Sequence, residues 1–589
     1  MNWVYNWQLL GAGRWSDLGL LEPNLTTVIL NRILWVSISA LFIAITVRIY
    51  ERREFDATRV VHRIYPKQLL RIGKGLLPYA SVPVVLAIYI AFQIANGPEG
   101  KRAENIDHDY WKQNLATWKD APKPTIRHVD ADLKLDPPDH SFALKGTYKL
   151  ANIEDEPMRK FAITLGSHIK EATWTMNGEK YEPENRTNLF VFTPKEPLAK
   201  DDEITIGFEY AAELPGGMTK NTGGAGEFIQ PSGAVIQGWS PSLFPVVGWQ
   251  EGIGVKGDEN SYEAKVYPDD LYKEVVGAAY GSALPFTTRI RIDVPEEYRA
   301  NSNGELIEET KADGRNVFVW QTDHPIMMFN VVVGKWEVRR GEGTAIFYNA
   351  LHDENLDEMI EALDGARKYY SEWFYPYPWK ELKLSEFANL ASYAQGFATN
   401  ITFSESIGFR ARSDEKAQAA FTITAHESAH QWWGNTLVPG EGPGGNILSE
   451  GMSHFSTILL IEQLKGEAAR IQFCKRIEET YGESRVVDSE RPMNRTLGDK
   501  AGETTVVYDK GGFVFYMLHR LMGREANLAG CQAFIRNHET NPDHPLLEDF
   551  VDEMRPFAPD VEAYDAFVRQ WIFSTDVPMY EFKDMTREK

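Results

Sequence analysis

The chain has 589 residues, of which 43% are hydrophobic and 25% are charged, and its formal net charge is −22. This composition is typical of a folded globular protein and excludes a disordered or collagen-like chain. The length predicts about two to four domains. The two cysteines, Cys474 and Cys531, fit neither a disulfide framework nor a metal-binding spacing, so we expect them to be buried apolar residues.

Two apolar segments near the N-terminus predict a membrane anchor with two transmembrane helices over residues 1–98. Residues 33–47 carry no charge and lie between Arg32 and Arg48. Residues 75–98 are uncharged for 24 positions, which is long enough to cross a bilayer. The alternative for each segment is a buried core helix of a soluble protein.

The charge of the connecting segment predicts the topology. Residues 48–74 hold eight basic and three acidic side chains, and basic loops stay on the cytoplasmic side of a membrane. Both ends of the hairpin are therefore predicted to lie outside, which places the larger C-terminal part on the extracytoplasmic side of the cell (inner) membrane. That part carries the excess acidic charge, which argues against nucleic acid as a partner.

Three further regions follow the anchor. Residues 99–124 are charged and end in Ala-Pro-Lys-Pro, which predicts a linker. Over residues 125–340, short runs of alternating apolar and polar residues predict an antiparallel β domain. Within it, residues 215–257 show no clear periodicity and are left unassigned. Residues 341–589 mix helical spacing with a few strand-like runs, which predicts an α+β domain with a short helical C-terminal tail.

A His-Glu-x-x-His motif predicts a zinc site in this last region. His426 and His430 are four residues apart, so on a helix both imidazoles project from one face and can bind one metal ion. Glu427, beside the first histidine, is placed to act as the general base toward a water molecule at the metal. Zinc requires a third protein ligand, for which Glu450 is the best candidate. The alternative is a helix that carries these residues by chance.

The residues around this motif resemble the aminopeptidase N family of zinc metallopeptidases (peptidase family M1). The segment HESAHQWWGN is followed by SEG, and the segment VYDKG matches the family pattern Tyr-x-Lys-Gly at Tyr508. The resemblance implies a thermolysin-like catalytic domain that binds one Zn²⁺ and hydrolyses a peptide or protein substrate. It also implies that Tyr508 stabilises the tetrahedral intermediate.

Membrane spans ahead of such a domain resemble the form fused to or associated with bacterial ABC-type permeases. ABC transporter subunits are therefore implied as partners. The large family members carry a long helical C-terminal domain, whereas only 81 residues follow Tyr508 here, so we expect a more open cleft.

Two features depart from the family pattern. Nineteen residues separate His430 from Glu450, where the family usually has eighteen and thermolysin-like enzymes have nineteen. The Gly-x-Met-Glu-Asn motif, whose glutamate binds the substrate amine, is missing. Gly396, or Gln395 with a slip of one residue, stands where that carboxylate is expected.

The sequence therefore predicts a membrane-anchored zinc metallopeptidase with weak selection for a free N-terminus. Glu386 or Glu405 could fold into the missing position and restore that selection. Two other functions stay open: a non-catalytic periplasmic module of an ABC-type exporter, and a thermolysin-type endopeptidase. His454, four residues after Glu450, is either packed in the core or in contact with the metal ligands, and packing is favoured.

Overall fold

The computed structural model describes most of the chain. The regions described are residues 5–7, 15–20, 22, 24–49, 65–98, 100–215, 226–254, 277–411, 418–498, 500–539 and 544–578. Most of the predicted basic loop between the two apolar segments, residues 50–64, lies outside these regions.

Two long apolar helices pack against each other at the N-terminus. They are α1 (Leu25–Ile49) and α2 (Pro66–Asn96), and both are long and apolar enough to cross a membrane. Their apolar side chains are mostly exposed, with Leu34, Ile90 and Ile94 buried between them. A third helix, α3 (Lys101–Trp118), forms much of the predicted linker and packs on the β domain through its buried side chains.

The β domain is built from three sheets around one apolar core. The largest sheet has eight strands in the order β14-β15-β12-β1-β2-β8-β4-β5, and all its pairs are antiparallel except β1 with β12. Two four-stranded sheets have the orders β13-β16-β10-β9 and β11-β3-β7-β6. The strands are β1 (Thr125–Asp136), β2 (Ser141–Ala151), β3 (Phe161–Thr164), β4 (Thr173–Met176), β5 (Glu179–Tyr181), β6 (Glu184–Arg186), β7 (Leu189–Phe192), β8 (Glu203–Glu213), β9 (Phe228–Gln230), β10 (Gly233–Gln237), β11 (Val246–Val247), β12 (Thr287–Pro295), β13 (Arg299–Ser302), β14 (Glu305–Ala312), β15 (Arg315–Gln321) and β16 (Asn330–Gly334).

A mixed five-stranded sheet opens the second domain, in the order β17-β18-β19-β21-β20. The three central strands are parallel, and the two edge strands, β17 and β20, are antiparallel to their neighbours. The sheet begins a few residues before the predicted boundary at 341. Its strands are β17 (Glu337–Arg340), β18 (Thr344–Tyr348), β19 (Leu382–Phe387), β20 (Ala394–Phe397) and β21 (Asn400–Ser404).

Helices make up the rest of the second domain and enclose a separate apolar core. Two short π-helical turns, Ile447–Gly451 and Val506–Lys510, interrupt the α-helices, and both face the site described below. The helices are α4 (Leu356–Trp373), α5 (Ala419–Ala429), α6 (Met452–Lys465), α7 (Glu467–Ser484), α8 (Glu503–Thr505), α9 (Gly511–Met522), α10 (Arg524–His538), α11 (Leu547–Met554) and α12 (Val561–Trp571). The architecture is a sheet-rich N-terminal domain followed by a helical C-terminal domain.

Candidate active site

Helix α5 presents His426 and Glu427, and His430 lies at its C-terminal end. The residues that follow hold this end in place. The side-chain amide of Asn435 donates to the carbonyl oxygens of His430 (2.8 Å) and Gly396 (2.6 Å). The Gln431 side chain accepts a hydrogen bond from the Thr399 backbone (2.8 Å). The residues after the His-Glu-x-x-His motif therefore tie the helix to strand β20.

Three donor atoms converge on one point beside this helix. Nε2 of His426 lies 3.1 Å from Oε2 of Glu450 and 3.2 Å from Nε2 of His430. Nε2 of His430 lies 3.3 Å from the same Glu450 oxygen. Tetrahedral zinc with ligands at about 2.0–2.1 Å requires ligand atoms about 3.3 Å apart. The arrangement of these three side chains fits zinc.

The ring nitrogens that face away from this point are also hydrogen-bonded. Nδ1 of His430 is 3.0 Å from the carbonyl oxygen of Trp433. Nδ1 of His426 is 2.9 Å from Nδ1 of His454, a half-buried histidine on α6. Partners of this kind fix the ring orientation and tautomer of metal-binding histidines. His454 therefore contacts a metal-ligand side chain and is more than a packed core residue.

Glu450 belongs to the π-helical turn before α6. Burial raises the pKa of its carboxyl group, but the neighbouring His430 and His426 lower that pKa by more, so it lies well below its usual range. The carboxylate is therefore ionised at neutral pH, as a metal ligand must be.

Glu427 lines the same cleft as the three ligand side chains. Burial raises the pKa of its carboxyl group, while His430 and His426 act in the opposite direction. A carboxylate with a raised pKa accepts a proton more readily than an ordinary surface glutamate, which is the property required of a general base.

Tyr508 approaches the site from the second π-helical turn. Its ring stacks on that of His426, with centroids 5.9 Å apart, and burial together with the Glu450 carboxylate raises the pKa of its hydroxyl. The hydroxyl therefore stays protonated and can donate a hydrogen bond. Two residues later, the Lys510 ammonium group pairs with the buried Glu490 carboxylate at 3.0 Å, which anchors this turn.

The site opens into a cleft of about 660 Å³ between the two domains. Trp239, Met327 and Met328 contribute apolar walls, and Lys123 lies among the residues that line it. Tyr280 also lines the cleft, and its hydroxyl donates to Oγ of Ser449 at 2.9 Å. Tyr280 could not be predicted from sequence, because it lies in a segment without a motif.

Strand β20 carries both residues, Gly396 and Gln395, that stand where the family's amine-binding glutamate is expected. A Cβ atom on Gly396 would lie 2.5 Å from the carbonyl oxygen of Glu427 and 2.8 Å from Cβ of His430, so no side chain fits there. Gln395 lines the cleft instead, and its Oε1 accepts a hydrogen bond from Gln237 at 3.2 Å. Of the described residues that line the cleft, the only carboxylates are Glu427 and Glu450.

Glu386 and Glu405, the two carboxylates proposed as replacements, do not restore the amine site. Neither is among the described residues that line the cleft, and both are completely buried beside His352.

Comparison with known families identifies the helical domain. The Peptidase family M1 domain matches residues 355–571, which include both histidines, Glu427, Glu450 and Tyr508. The match of this segment to the Peptidase family M1 domain supports a zinc metallopeptidase with one catalytic Zn²⁺. The spacing of His426, His430 and Glu450 fits such an ion.

Curated relatives of the M1 domain are aminopeptidases. The chain is 27% identical over 359 residues to aminopeptidase M1-B of Oryza sativa, which covers 58% of this chain and 39% of the rice protein. It is 26% identical over 233 residues to human endoplasmic reticulum aminopeptidase 1, covering 36% of this chain and 24% of that protein. The matches thus span about two fifths or less of these relatives.

Solved M1 structures share the fold. An M1 zinc metallopeptidase from Deinococcus radiodurans superposes with a TM-score of 0.57 at 16% identity, covering 78% of this chain and 96% of that one. Legionella pneumophila aminopeptidase A, in complex with aspartic acid, gives a TM-score of 0.57 at 15% identity and covers 78% of this chain and 50% of that one.

Proposed function

We propose that the protein is a membrane-anchored zinc-dependent peptidase that hydrolyses peptide bonds outside the cytoplasm. The observation that carries this proposal is the set of side chains in one cleft: three ligands at zinc spacing, a buried glutamate and a tyrosine hydroxyl. A non-catalytic module would have no need for the last two.

In the proposed mechanism, the peptide lies along the edge strand β20, whose free side offers backbone hydrogen bonds to an extended chain. Zinc, when bound, acidifies water and polarises the carbonyl group to be attacked. Glu427 takes the proton of the attacking water and passes it to the leaving amine. The Tyr508 hydroxyl donates a hydrogen bond to the oxygen that becomes negatively charged, where one such donor contributes about 3 kcal/mol.

The proposed substrates are peptides whose N-terminus need not be free. An ammonium group bound in a partly dehydrated cleft is costly without an anionic partner, and the neutral Gln395 occupies the position where the family pattern has its glutamate. A Deinococcus M1 enzyme of the same fold has been solved with a Tyr-Ser-Ala substrate, which supports short peptides as the first class to test.

The membrane part of the proposal is supported by the segment that precedes α1. The backbone N–H of Asp17 donates to Glu405 at 3.0 Å, and Asn389 donates to the carbonyl oxygen of Trp15 at 2.9 Å. Residues ahead of the first apolar helix thus contact the domain that follows the second one. If α1 and α2 both span the membrane, the chain must cross it twice, which agrees with the predicted cytoplasmic loop.

Association with ABC transporter subunits is a further part of the proposal, and it rests on the resemblance alone. Isolation of the full chain from its native membrane in mild detergent tests it. The expected result is that an ABC-type permease is recovered with the chain in a fixed ratio.

Peptide hydrolysis by the full chain in detergent tests the enzymatic proposal. We expect activity on a library of short peptides, loss of activity with a chelator, and recovery on addition of Zn²⁺. A chain that contains zinc but cleaves no peptide of the library would instead favour the non-catalytic exporter module.

Cysteine labelling of whole cells tests the topology. Cys474 and Cys531 are buried, so single cysteines introduced near residue 60 and near residue 200 report on each side of the membrane. We expect an impermeant reagent to label the second position and not the first. The opposite pattern would overturn the topology.

A further inference from the structure

A second histidine–carboxylate cluster lies at the mixed sheet of the M1 domain, away from the cleft. His352 follows β18, Glu386 lies on β19 and Glu405 follows β21. These three strands are parallel, so their C-terminal ends bring the side chains together, and one donor atom from each lies within 4.8 Å of the others. The side chains of His352, Glu386 and Glu405 are 5%, 0% and 0% exposed.

Glu386 orients the imidazole of His352. One of its carboxylate oxygens bonds to Nδ1 of His352, and the other accepts a hydrogen bond from the backbone N–H of Asn349 at 2.6 Å. A carboxylate on one ring nitrogen is the usual partner of a histidine whose other nitrogen binds a metal, because it fixes the tautomer and increases the basicity of the free nitrogen. Here that free nitrogen is Nε2.

Two buried atoms of the cluster are left without hydrogen-bond partners among the described residues. They are Nε2 of His352 and Oε2 of Glu405. Oδ2 of Asp17 lies 3.8 Å from Nε2 of His352, which is too far for a direct hydrogen bond. This separation is wider than the roughly 3.3 Å between two ligands of a tetrahedral ion, but two ligands that each lie about 2.1 Å from one metal ion can span it. Because buried polar groups are normally satisfied, these atoms point to a bound group beside them.

The charge of the cluster has the sign that a cation requires. Asp17, Glu386 and Glu405 contribute three carboxylates, and Arg410 contributes one positive charge through its 2.7 Å contact with Asp17. With a neutral His352 the sum is −2, and protonation of His352, whose pKa burial lowers but Glu386 and the neighbouring carboxylates raise by more, makes it −1. Buried negative charge without compensation is unfavourable, and one divalent cation bound to a neutral His352 would neutralise it.

We propose that His352, Glu405 and Asp17 form a second metal site that binds a divalent cation. An imidazole nitrogen combined with carboxylate oxygens suits Zn²⁺ or Mn²⁺. The Asp17 side chain is 51% exposed, which provides the route by which the ion enters. The site is separate from the catalytic zinc ligands and does not depend on the proposed peptidase activity.

The ion would fasten the N-terminal segment to the M1 domain. Asp17 is the ligand that comes from this segment, and its backbone already donates to Oε1 of Glu405. Glu22 adds a contact to the β domain, where its side chain accepts a hydrogen bond from the backbone of Ser232 at 3.1 Å. Metal binding at Asp17 would therefore hold the segment ahead of α1 against both domains.

Metal counting on the full chain in detergent tests this site. The protein is dialysed against buffered Zn²⁺ or buffered Mn²⁺, and bound metal is measured by elemental analysis. We expect two metal ions per wild-type chain, and one in His352→Gln and in Glu405→Gln, with peptide hydrolysis retained. Asp17→Asn, which changes an exposed side chain, should bind the second ion at least tenfold more weakly. The control is Glu354→Gln, an exposed carboxylate two residues from His352, which should bind two.

Amide hydrogen exchange provides a readout that does not depend on the buried variants. The backbone N–H of Asp17 should exchange faster when metal is removed from the wild-type chain. One metal ion per wild-type chain that is retained in His352→Gln would overturn the proposal, because that ion would lie outside the cluster and a water molecule or a protonated His352 would then satisfy it. Two ions that persist unchanged in Asp17→Asn and His352→Gln would also overturn it, since the second ion would then lie elsewhere.

Discussion

The two ends of the active-site cleft differ in the functional side chains that they carry. At the metal end, His426, His430 and Glu450 lie at zinc spacing, and the outer nitrogens of both histidines are hydrogen-bonded. At the amine end, strand β20 offers Gln395 and a glycine that has no room for a side chain. Among the described residues that line the cleft, the groups proposed to act on the peptide bond are present, and no carboxylate besides Glu427 and Glu450 is available to bind the end of a peptide.

In the proposed mechanism, bond cleavage and recognition of the peptide end are therefore carried by separate structural elements. The metal end is built by α5 and two π-helical turns, whose positions are fixed by buried contacts such as that of Lys510 with Glu490. The amine end depends on one side chain of an edge strand. A single substitution on β20 can therefore change which peptides are accepted and leave the cleavage machinery intact.

The largest effect is expected from Glu427→Gln at the metal end. This change removes the general base and keeps its shape, so kcat should fall by roughly 10²- to 10⁴-fold while the zinc content stays at the wild-type level. Peptide hydrolysis and elemental analysis measure the two quantities. Glu479→Gln, an exposed change on α7, is the matched control. Loss of zinc together with activity would make Glu427 a ligand, and normal turnover would remove it from the mechanism.

Tyr508→Phe should have the next largest effect. It removes only the hydroxyl, so we expect kcat to fall by about 10²- to 10³-fold, as for the loss of one oxyanion donor, with little change in KM or in thermal stability. Tyr516→Phe, on the helix that follows the same π turn, should leave kcat unchanged. A rise in KM with kcat unchanged would mean that Tyr508 binds the ground state and does not act on the transition state.

His454→Ala tests the outer contacts of the metal end. Loss of its bond to Nδ1 of His426 should weaken zinc binding by about 10- to 100-fold, measured by competition with a chelator. His519→Ala removes a buried histidine that bonds to Asn527, and it should lower stability without changing zinc affinity. Equal zinc affinity in the two variants would reduce His454 to a packing residue.

The metal end was predictable from sequence because its chemistry depends on local spacing. Two histidines four residues apart on a helix must share a face. Glu450 was the best candidate for the third ligand, and the role of Tyr508 was implied only by the resemblance to the family pattern Tyr-x-Lys-Gly. The extra residue between His430 and Glu450 also has a local explanation. Glu450 lies in a π-helical turn, which holds about one residue more than an α-helical turn, so the insertion need not displace the ligand.

Contacts between distant segments were not predictable in this way. The bond between His454 and His426 joins residues 28 positions apart, and the cluster of His352, Glu386 and Glu405 depends on the order of strands in the mixed sheet. The polar sequence of helix α3 predicts a linker, whereas in the structure three buried side chains pack the helix on the β domain. These contacts are determined by tertiary packing, which local sequence patterns do not predict.

The smallest expected effect concerns the N-terminus of the substrate. It tests the difference between the two ends of the cleft most directly. Because Gln395 carries no charge, blocking the N-terminus of one peptide should change kcat/KM by less than about tenfold, or 1.4 kcal/mol. Gln395→Glu places a carboxylate at the amine end. A hydrogen bond to a charged group contributes about 1.5–3 kcal/mol, so this variant should prefer the free peptide by at least tenfold.

The comparison requires both peptides and both proteins, with kcat/KM measured for each of the four combinations. Turnover of the blocked peptide by Gln395→Glu controls for damage to the metal end, because that peptide cannot use the new carboxylate and should react at close to the wild-type rate. In the wild-type chain, a loss of roughly a hundredfold on blocking, about 2.7 kcal/mol, would contradict the prediction. It would mean that a group outside Glu427 and Glu450 supplies the missing charge, and that the two ends of the cleft are equally complete.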